Sequence, residues 1–360
     1  MPLFRIYSKI KKIAIEILTR ASKVFDFRAV EVLVEERLRI DGDPNGRTII
    51  YVGAKYDYED KSRGLGYEHY QFYMALVKMG YKVIYFPYDQ FKKEYGRKKM
   101  SLMLREAVYY WQPEILLYYH FADWVDLKVF QEISNDLPTK TIILLGDDGL
   151  RYEQTRPVWE FFNVVVTMDP NANEKRKKEG FKNAFLSQWG INHFLYKNLN
   201  LKRIYDVSFI GQCYGKRPFL IEELRKKGVN IVTFGHGWPG SGRILQSDMI
   251  KIYNQTKIVF NTYLSSKNTP RMNARDFEAL SCSSLSVTED IDEVKKFFVP
   301  GKEIITYKDL NDAAEKIKYY LSHEIKRQEI VKAGYKRVLK DHTYEKIFKK
   351  VFEFTQKIKK

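Results

Sequence analysis

The most informative part of the sequence runs from Asn261 to Glu289 and reads NTYLSSKNTPRMNARDFEALSCSSLSVTE. Within it, Arg275 and Glu278 lie three residues apart, where a polar loop becomes a predicted helix. The start of a helix offers unpaired backbone N–H groups and the positive end of the helix dipole, so a phosphate can bind there beside an arginine. Glu278, in the first turn, can accept hydrogen bonds from the paired hydroxyls of a sugar. The pair indicates one half of a nucleotide-sugar site; the alternative is a surface ion pair between residues i and i+3.

The same region carries a longer pattern. Its parts are Arg275 to Cys282, Leu285 to Glu289, Phe298 to Glu303, Ala333-Gly334 and His342 to Tyr344. This pattern resembles the C-terminal signature of the CgeB-like glycosyltransferases, and the resemblance covers most of residues 205 to 345. It implies an α/β protein of GT-B architecture, in which two Rossmann-like domains with parallel sheets face each other across a cleft. It also implies that Arg275 faces the donor diphosphate and Glu278 the ribose.

Two positions depart from the family pattern. Ser283 stands where the family usually has a glycine after the cysteine. Pro270 lies near the position of the first glutamate in the paired-glutamate motif of the wider retaining group, so a contact to the transferred sugar is unassigned. These departures leave, as an alternative, a catalytically inactive module that binds nucleotide or glycan.

Length and composition bound the possible functions. The 360 residues, 44% of them hydrophobic, are enough for two domains with cores of their own. Lys and Arg number 62 against 45 Asp and Glu, and the net charge of +17 attracts nucleic acid, anionic membranes or phosphorylated substrates. Nucleic acid is not the expected partner, because no known reader motif is present. Only Cys213 and Cys282 occur, so we expect a reduced, cytoplasmic setting.

Residues 1–42 are predicted to form a basic amphipathic helical segment. No apolar run in it approaches the ~20 residues of a membrane span or the ~7–15 of a signal-peptide core. Two alternatives stay open: the apolar stripe packs on the protein's own surface, or the helix lies on the anionic inner face of the membrane. The apolar positions are Leu3, Ile6, Tyr7, Ile10, Ile13, Ala14, Ile17 and Leu18, and the cationic ones are Arg5, Lys9, Lys11, Lys12, Arg20 and Lys23.

Residues 43–197 are predicted to form an N-terminal Rossmann-like domain that binds the acceptor. A strand at Thr48 to Val52, a loop with Gly64 and Gly66, a helix from about Glu68 and a strand at Lys82 to Phe86 make a βαβ unit. The loop is not a dinucleotide fingerprint, since His69 occupies the position of its third glycine. We expect the two glycines to lie over the cleft instead.

Two later strands end in polar residues. His120 follows the predicted strand Ile115 to Tyr119, and Asp147-Asp148 follow the strand Thr141 to Leu145. Open α/β sheets bind ligands at the carboxyl ends of their strands, so these side chains are candidates for catalysis. The CgeB-like resemblance favours the aspartates, because the family has a paired aspartate there. The alternatives are a turn stabilised by aspartate and a histidine that only packs.

Residues 198–345 are predicted to form the C-terminal Rossmann-like domain, which binds the nucleotide-sugar donor. A strand at Asp206 to Ile210 precedes Gly211, Lys216 and Arg217, where the backbone can approach a phosphate and a cation can neutralise it. A second strand, Asn230 to Phe234, precedes Gly235, His236 and Trp238. The resemblance implies that this second turn lies near the donor, and a core position for Trp238 is the alternative.

The end of the chain and the question of metal complete the prediction. Residues 346–360 are predicted to form a helix that returns to the N-terminal domain, with a solvated lysine-rich tail as the alternative. Asp290-Ile291-Asp292 matches the metal-binding pattern of another transferase fold. We interpret that match as coincidence and expect neither a metal nor a cofactor, because helix ends and cations can hold the diphosphate.

The sequence therefore predicts a metal-independent glycosyltransferase. It would move a sugar from a nucleotide donor to a glycan, lipid-linked or protein acceptor, in the synthesis of cell-surface polysaccharide or glycoconjugate. Arg275 with Lys216 or Arg217 would stabilise the departing diphosphate, and Asp147 or Asp148 would stabilise the sugar or act as a base. A GT-B-fold sugar-nucleotide epimerase is a further alternative.

Overall fold

The computed structural model describes residues 38–120, 125–263 and 271–358. Most of the predicted N-terminal helical segment lies outside these residues. Its last part does not, and there the prediction is wrong. Arg39–Gly42 is a strand, β1, which pairs antiparallel with the strand at Lys82–Pro87. An edge strand of this kind is short and polar, so it carries little of the alternating pattern that identifies strands in a sequence.

The N-terminal half builds, within the described residues, a seven-stranded sheet in the order β1-β3-β2-β4-β5-β6-β7. Every strand pair except β1 with β3 is parallel. The strands after β1 are β2 (Thr48–Gly53), β3 (Lys82–Pro87), β4 (Ile115–His120), β5 (Lys140–Leu145), β6 (Val164–Thr167) and β7 (Ala184–Leu186).

Helices cover both faces of this sheet. Along β2, Ile50 and Val52 enter one core cluster and Ile49 and Tyr51 the other, as the alternation of side chains along a strand requires. The connecting helices are α1 (Met74–Lys78), which continues a π-helical turn at His69–Tyr73, α2 (Tyr88–Trp111), α3 (Lys128–Asp136), α4 (Tyr152–Thr155) and α5 (Pro170–Lys178). Short 3-10 helices lie at Asp57–Glu59, Lys61–Arg63, Asp148–Leu150 and Arg156–Phe161.

The C-terminal half builds a second sheet. In the part of the chain described here, this sheet has five parallel strands in the order β12-β11-β10-β8-β9. Its strands are β8 (Tyr205–Ile210), β9 (Ile231–Phe234), β10 (Thr256–Phe260), β11 (Leu285–Glu289) and β12 (Ile305–Tyr307). The helices are α6 (Arg217–Lys226), α7 (Gln246–Gln255), α8 (Arg275–Ser281), α9 (Asp292–Phe297), α10 (Leu310–Ser322), α11 (Glu324–Asp341) and α12 (Tyr344–Lys357).

The chain passes between the halves twice, and the two passages touch. The Ile191 N–H donates to the His342 carbonyl over 3.0 Å, and the Tyr344 N–H donates to the Ile191 carbonyl over 2.9 Å. After the second passage, α12 packs Tyr344, Phe348, Val351 and Phe352 into the core of the N-terminal half. The predicted GT-B fold, with two Rossmann-like halves and parallel sheets, is confirmed.

We predict that Gly190→Val destabilises the protein through this crossing. A Cβ atom at position 190 would lie 3.0 Å from the His342 carbonyl oxygen and 2.5 Å from the Ile347 Cδ1 atom. Overpacking of this kind costs about 1–3 kcal/mol of unfolding free energy, because the paired backbone must separate. Gly242→Val is the matched control, since a Cβ there meets no atom within 4 Å. Calorimetric melting that shows equal losses for both variants would contradict the prediction.

Candidate active site

The candidate site is a cleft between the two sheets, at the carboxyl ends of parallel strands. Ala54, Tyr119 and Gly146 follow or end strands of the N-terminal half, and Gly211 and Thr262 follow strands of the C-terminal half. A central cavity of about 350 Å³ has Tyr67, Glu68 and Tyr119 on one wall, and Asn273, Arg275 and Glu278 on the other. The position agrees with the general rule for ligand sites in open α/β sheets.

Glu278 lies in this central cavity but is only 2% exposed. Its Oε2 atom accepts a hydrogen bond from the Tyr253 hydroxyl over 2.7 Å. Burial raises the pKa of Glu278 to about 7, although the Tyr253 hydroxyl and the charge of Arg275 act to lower it. Glu278 is therefore not the exposed partner of a surface ion pair. Its carboxylate is a buried acceptor at the cavity wall.

Arg275 and Arg217 bring two positive charges to the floor of the cleft. Both line a second cavity, of about 240 Å³, which adjoins the central one. Arg217 is 5% exposed and donates from Nη1 to the Gln212 carbonyl over 3.0 Å. Its guanidinium stacks on Tyr214 at 4.1 Å from the ring centre, and its Nε atom has no hydrogen-bond partner. Burial and the neighbouring charge of Arg275 lower the pKa of Arg217.

These two arginines lack anionic partners. Among the described residues, no carboxylate lies within ion-pair distance of Arg275 or Arg217. The amide at the start of α8 is already bonded, because Asn273 Oδ1 accepts from the Arg275 N–H over 3.0 Å. The site therefore offers an anion two guanidinium groups, whereas the first amide of the helix is not available to it.

The turn after β9 forms the wall of a third cavity. Ile210, Gly211, Phe234, Gly235 and His236 line it, and Arg275 connects it with the other two. Gly211 and Gly235 approach each other closely and have φ angles of 159° and 130°, so a side chain on Gly235 would collide with the Gly211 backbone. Because neither glycine has a side chain, a flat group has room beside the backbone here.

Two predicted donor residues lie elsewhere. Trp238 belongs to the core of the C-terminal half, where it packs edge-on against Phe209 and donates from Nε1 to the Gly211 carbonyl over 2.7 Å. It holds the turn in shape without lining a described cavity. Lys216 is exposed at the cap of α6 and points to no described cavity either. Of the pair Lys216 and Arg217, the structure brings Arg217 to the cleft.

The paired aspartates have different surroundings. Asp147 is exposed and lines the second cavity. Asp148 is 1% exposed and pairs with Arg176, whose Nη2 lies 2.8 Å from Oδ1, while the Thr155 hydroxyl donates to the same oxygen over 2.5 Å. The contacts of Asp148 favour the structural alternative, and Asp147 stays a candidate for catalysis.

His120 and the glycine loop border the cleft. The Nδ1 atom of His120 lies 3.2 Å from the Tyr118 hydroxyl, and the ring borders a small recess beside Asp147. The loop with Gly64 and Gly66 reaches the C-terminal half, since Arg243 pairs with Asp57 and donates to the Arg63 carbonyl over 3.3 Å. A Cβ on Gly64 would lie 2.7 Å from Leu245 Cδ2, which shows how closely the loop fits.

Glu68 is the residue that the sequence did not single out. It lies in the wall of the central cavity opposite Arg275 and Glu278, and burial raises its pKa to about 7. The feature of the sequence that could have pointed to Glu68 was its position as an acidic residue at a predicted helix start, after the first loop of the cleft. That signal is too common to select one residue, because acidic residues generally favour the first turn of a helix.

The described residues contain no cluster of three or more His, Cys, Asp or Glu side chains that could hold a metal ion. Metal independence stays a prediction. No helix among the described residues is long and apolar enough to cross a membrane.

Comparison with known proteins supports the fold and the chemistry together. Residues 216–353 match the family model "Glycosyl transferase-like". The spore protein CgeB of Bacillus subtilis (strain 168) is 23% identical over 244 residues, which cover 59% of this chain and 74% of that protein. Residues 216–353 thus carry a glycosyltransferase-like domain, and the chain is similar to CgeB.

Three solved structures of similar fold are distant from this chain in sequence. Sucrose-phosphate synthase of Thermosynechococcus elongatus is 12% identical with a TM-score of 0.58, over 86% of this chain and 98% of that one. HepE of Anabaena, solved with UDP-glucose, is 11% identical with a TM-score of 0.58, over 86% and 99%. TarM of S. aureus, solved with fondaparinux, α-GlcNAc-glycerol and UDP, is 13% identical with a TM-score of 0.52, over 71% and 59%. At such identities the likeness establishes the shared fold.

We predict that Glu278→Gln makes the protein more stable at pH 8. The folded-state pKa of Glu278, about 7, lies above its ordinary value of 4.5, so the wild type loses stability as the pH rises from about 4.5 to about 7. Glutamine removes this loss and can still accept from the Tyr253 hydroxyl. The variant should match the wild type near pH 4.5 and exceed it at pH 8 by on the order of 1–3 kcal/mol. Calorimetry at both pH values tests this; a less stable variant at pH 8 would show that the carboxylate has a compensating partner.

Proposed function

We propose that this glycosyltransferase uses a nucleoside-diphosphate sugar, with UDP as the favoured nucleotide, as its donor. The acceptor would be a glycan, lipid or protein carrier bound against the N-terminal half, in the synthesis of cell-surface polysaccharide or glycoconjugate. HepE was solved with UDP-glucose and TarM with UDP, and these complexes support the choice of nucleotide. No cofactor enters the proposal.

The observation that carries the proposal is the pair Arg217 and Arg275. Arg217 is buried without an anionic partner among the described residues, and Arg275 is a half-buried second cation beside it, so the site suits a ligand that supplies negative charge. A diphosphate fits, because each guanidinium can donate two hydrogen bonds to phosphate oxygens. During transfer, the bond from the anomeric carbon to the diphosphate oxygen breaks, and both charges stabilise the departing group.

The rest of the donor would extend to both sides of the arginines. Glu278 would accept hydrogen bonds from the ribose hydroxyls, and the base would lie in the third cavity, beside Gly235 and His236. The transferred sugar would then face the N-terminal half, where Asp147 lines the adjoining second cavity. A carboxylate there can stabilise positive charge that develops on the sugar ring.

We predict that Arg217→Met weakens binding of UDP by about ten- to a hundredfold, as expected for the loss of one charge-assisted contact. Lys216→Met is the matched control, since it removes the neighbouring cation that points to no described cavity. Its effect on UDP binding should be less than about threefold. Calorimetric titration with UDP measures both. Equal losses for the two variants would contradict a specific diphosphate site at Arg217.

Two competing activities make different predictions in one assay. A GT-B-fold epimerase would convert the donor sugar and leave the nucleotide attached. An inactive binding module would bind UDP and release none from a UDP-sugar. Release of UDP together with a new glycosidic bond on an acceptor would exclude both.

We also propose that the segment before β1 attaches the enzyme to the inner membrane face, beside a lipid-linked or growing surface glycan. The net charge of +17 and the six cations between Arg5 and Lys23 support this idea. Each cation near an anionic surface contributes on the order of 1 kcal/mol. The apolar stripe of the same segment would insert at the headgroup boundary.

We predict that deletion of residues 1–24 abolishes sedimentation with phosphatidylglycerol-containing vesicles at low salt. The melting temperature should change little, because the basic face and the apolar stripe would act on the membrane rather than on the protein core. A full-length variant with the six cations replaced by glutamine keeps the stripe and serves as the charge control. A large fall in melting temperature with unchanged sedimentation would instead establish internal packing.

A further inference from the structure

The central cavity has an acidic wall that the donor does not explain. Arg275 and Glu278 come from the C-terminal half, whereas Glu68 comes from the N-terminal half, just after the loop with Gly64 and Gly66. The donor contacts proposed above use the C-terminal wall. Arg275 lines both the central and the second cavity, so a donor sugar held beside Arg275 can face Glu68 as well as Asp147.

We propose that Glu68 is the general base that takes the proton from the acceptor hydroxyl. This inference rests on the proposed transfer from a nucleoside-diphosphate sugar. The acceptor oxygen forms a bond to the anomeric carbon, and the bond from that carbon to the diphosphate breaks with its electron pair on the departing oxygen. The hydroxyl proton moves to the Glu68 carboxylate, which later returns it to water.

The first argument is that Glu68 has no structural task that the described residues reveal. No cation lies within ion-pair distance of it there, and the hydrogen bond that its carboxylate accepts comes from its own backbone. Two carboxylates of this half that are buried do have such tasks. Asp89 accepts from the Lys55 and Tyr56 N–H groups over 3.0 and 3.1 Å, and Asp148 pairs with Arg176.

The second argument is space. A Cβ atom on Gly66 would lie 2.8 Å from the Glu68 Oε2 atom, so the carboxylate occupies the volume that the glycine leaves free. An alanine at position 66 would push this oxygen aside without straining the backbone, because the φ angle of Gly66 is not in the left-handed region. The glycine at position 66 thus leaves free the space that the Glu68 carboxylate occupies.

The third argument is that the pKa of Glu68 suits a general base. Burial is the main cause that raises the pKa of Glu68 to about 7, and the charges of Asp89 and Asp147 raise it further. A general base is most effective when its pKa lies near the working pH. The charged groups that face Glu68 are Asp57, Glu59, Asp89, Asp147, Glu278 and Arg275. The surrounding tyrosines stay protonated, since burial raises the pKa values of Tyr51, Tyr67, Tyr85, Tyr88, Tyr119 and Tyr344.

The ionised carboxylate of Glu68 is the form that acts as the base, so the rate should increase with pH. For the wild type, kcat should rise with pH through about 7 and then level off. Glu68→Gln should lower kcat by about 100- to 10,000-fold and abolish this rise. Binding of UDP should stay within about threefold, because the donor contacts lie on the opposite wall. Gly66→Ala should lower kcat and keep the rise, since the carboxylate is displaced but present.

The experiment measures UDP release from UDP-glucose and UDP-N-acetylglucosamine, with water as the acceptor, between pH 5 and 9. Glu59→Gln is the matched control, because it removes a carboxylate from the same cavity that already pairs with Lys92. This control should keep the rise of kcat with pH. A Glu68→Gln variant that keeps the wild-type rate and pH profile overturns the proposal. So does one whose loss of UDP binding accounts for its loss of rate.

A second measurement does not depend on turnover. If Glu68 lacks a compensating partner, Glu68→Gln should melt at a higher temperature than the wild type at pH 8 and at the same temperature near pH 4.5. A lower melting temperature at pH 8 would assign the carboxylate a structural role and overturn the proposal. Failure of the proposed function is recognised separately: the wild type would then not bind UDP, or would bind it and release none from either sugar.

Discussion

The structure depends on the backbone pairing of the two passages between its halves. Ile191 exchanges hydrogen bonds with His342 and Tyr344, so the chain leaves and re-enters the N-terminal half at one place. Asn192 reinforces the pairing, because its side chain donates to the Tyr70 carbonyl over 2.7 Å. Since both covalent connections lie together, the relative position of the two sheets is set next to the cleft. The ligand site is therefore built beside the joint between the halves.

Several charged side chains of the cleft lack the partner of opposite charge that a buried side chain elsewhere in the fold has. Asp148 and Arg176 are both fully buried side chains, and each supplies the opposite charge that the other needs. Arg217, Glu68 and Glu278 have no such partner in the described residues, and burial shifts each pKa toward the neutral form. Such groups lower the stability of the fold, so their presence is best explained by a ligand that completes them. Two cations on one wall and carboxylates on the other suit a diphosphate next to a site of proton transfer.

Much of the fold could be predicted from the sequence, because buried parallel strands such as β2 and β5 are short apolar runs between turn residues. The sequence also placed Arg275 and Glu278 close together, because they are neighbours along one helix, and the structure brings both to the central cavity. Contacts between residues that are far apart in the sequence could not be predicted. Arg176 is 28 residues from Asp148, and nothing local marks it as the partner that buries this aspartate. For the same reason the sequence could not separate Arg217 from Lys216, as adjacent residues at a helix start differ only in the direction that the tertiary structure gives them. Glu68 gains its significance only from the opposite wall.

Each half supplies part of the candidate site. The proposed reaction therefore requires the two halves to lie close together. Arg243 pairs with Asp57 on one side of the cleft, and Arg271 pairs with Asp169 over 2.9 Å on the other, so polar contacts already connect the halves along both edges. The Arg243–Asp57 pair is partly exposed and individually weak, so it can open at little cost. In the second pair, the Asp169 side chain is only 6% exposed. The donor groups lie on one half, whereas Glu68 and Asp147 lie on the other. A bound diphosphate sugar would meet the carboxylates only when these contacts hold the cleft closed, and water could enter whenever they release it. Closure would thus couple donor binding to the removal of water before transfer.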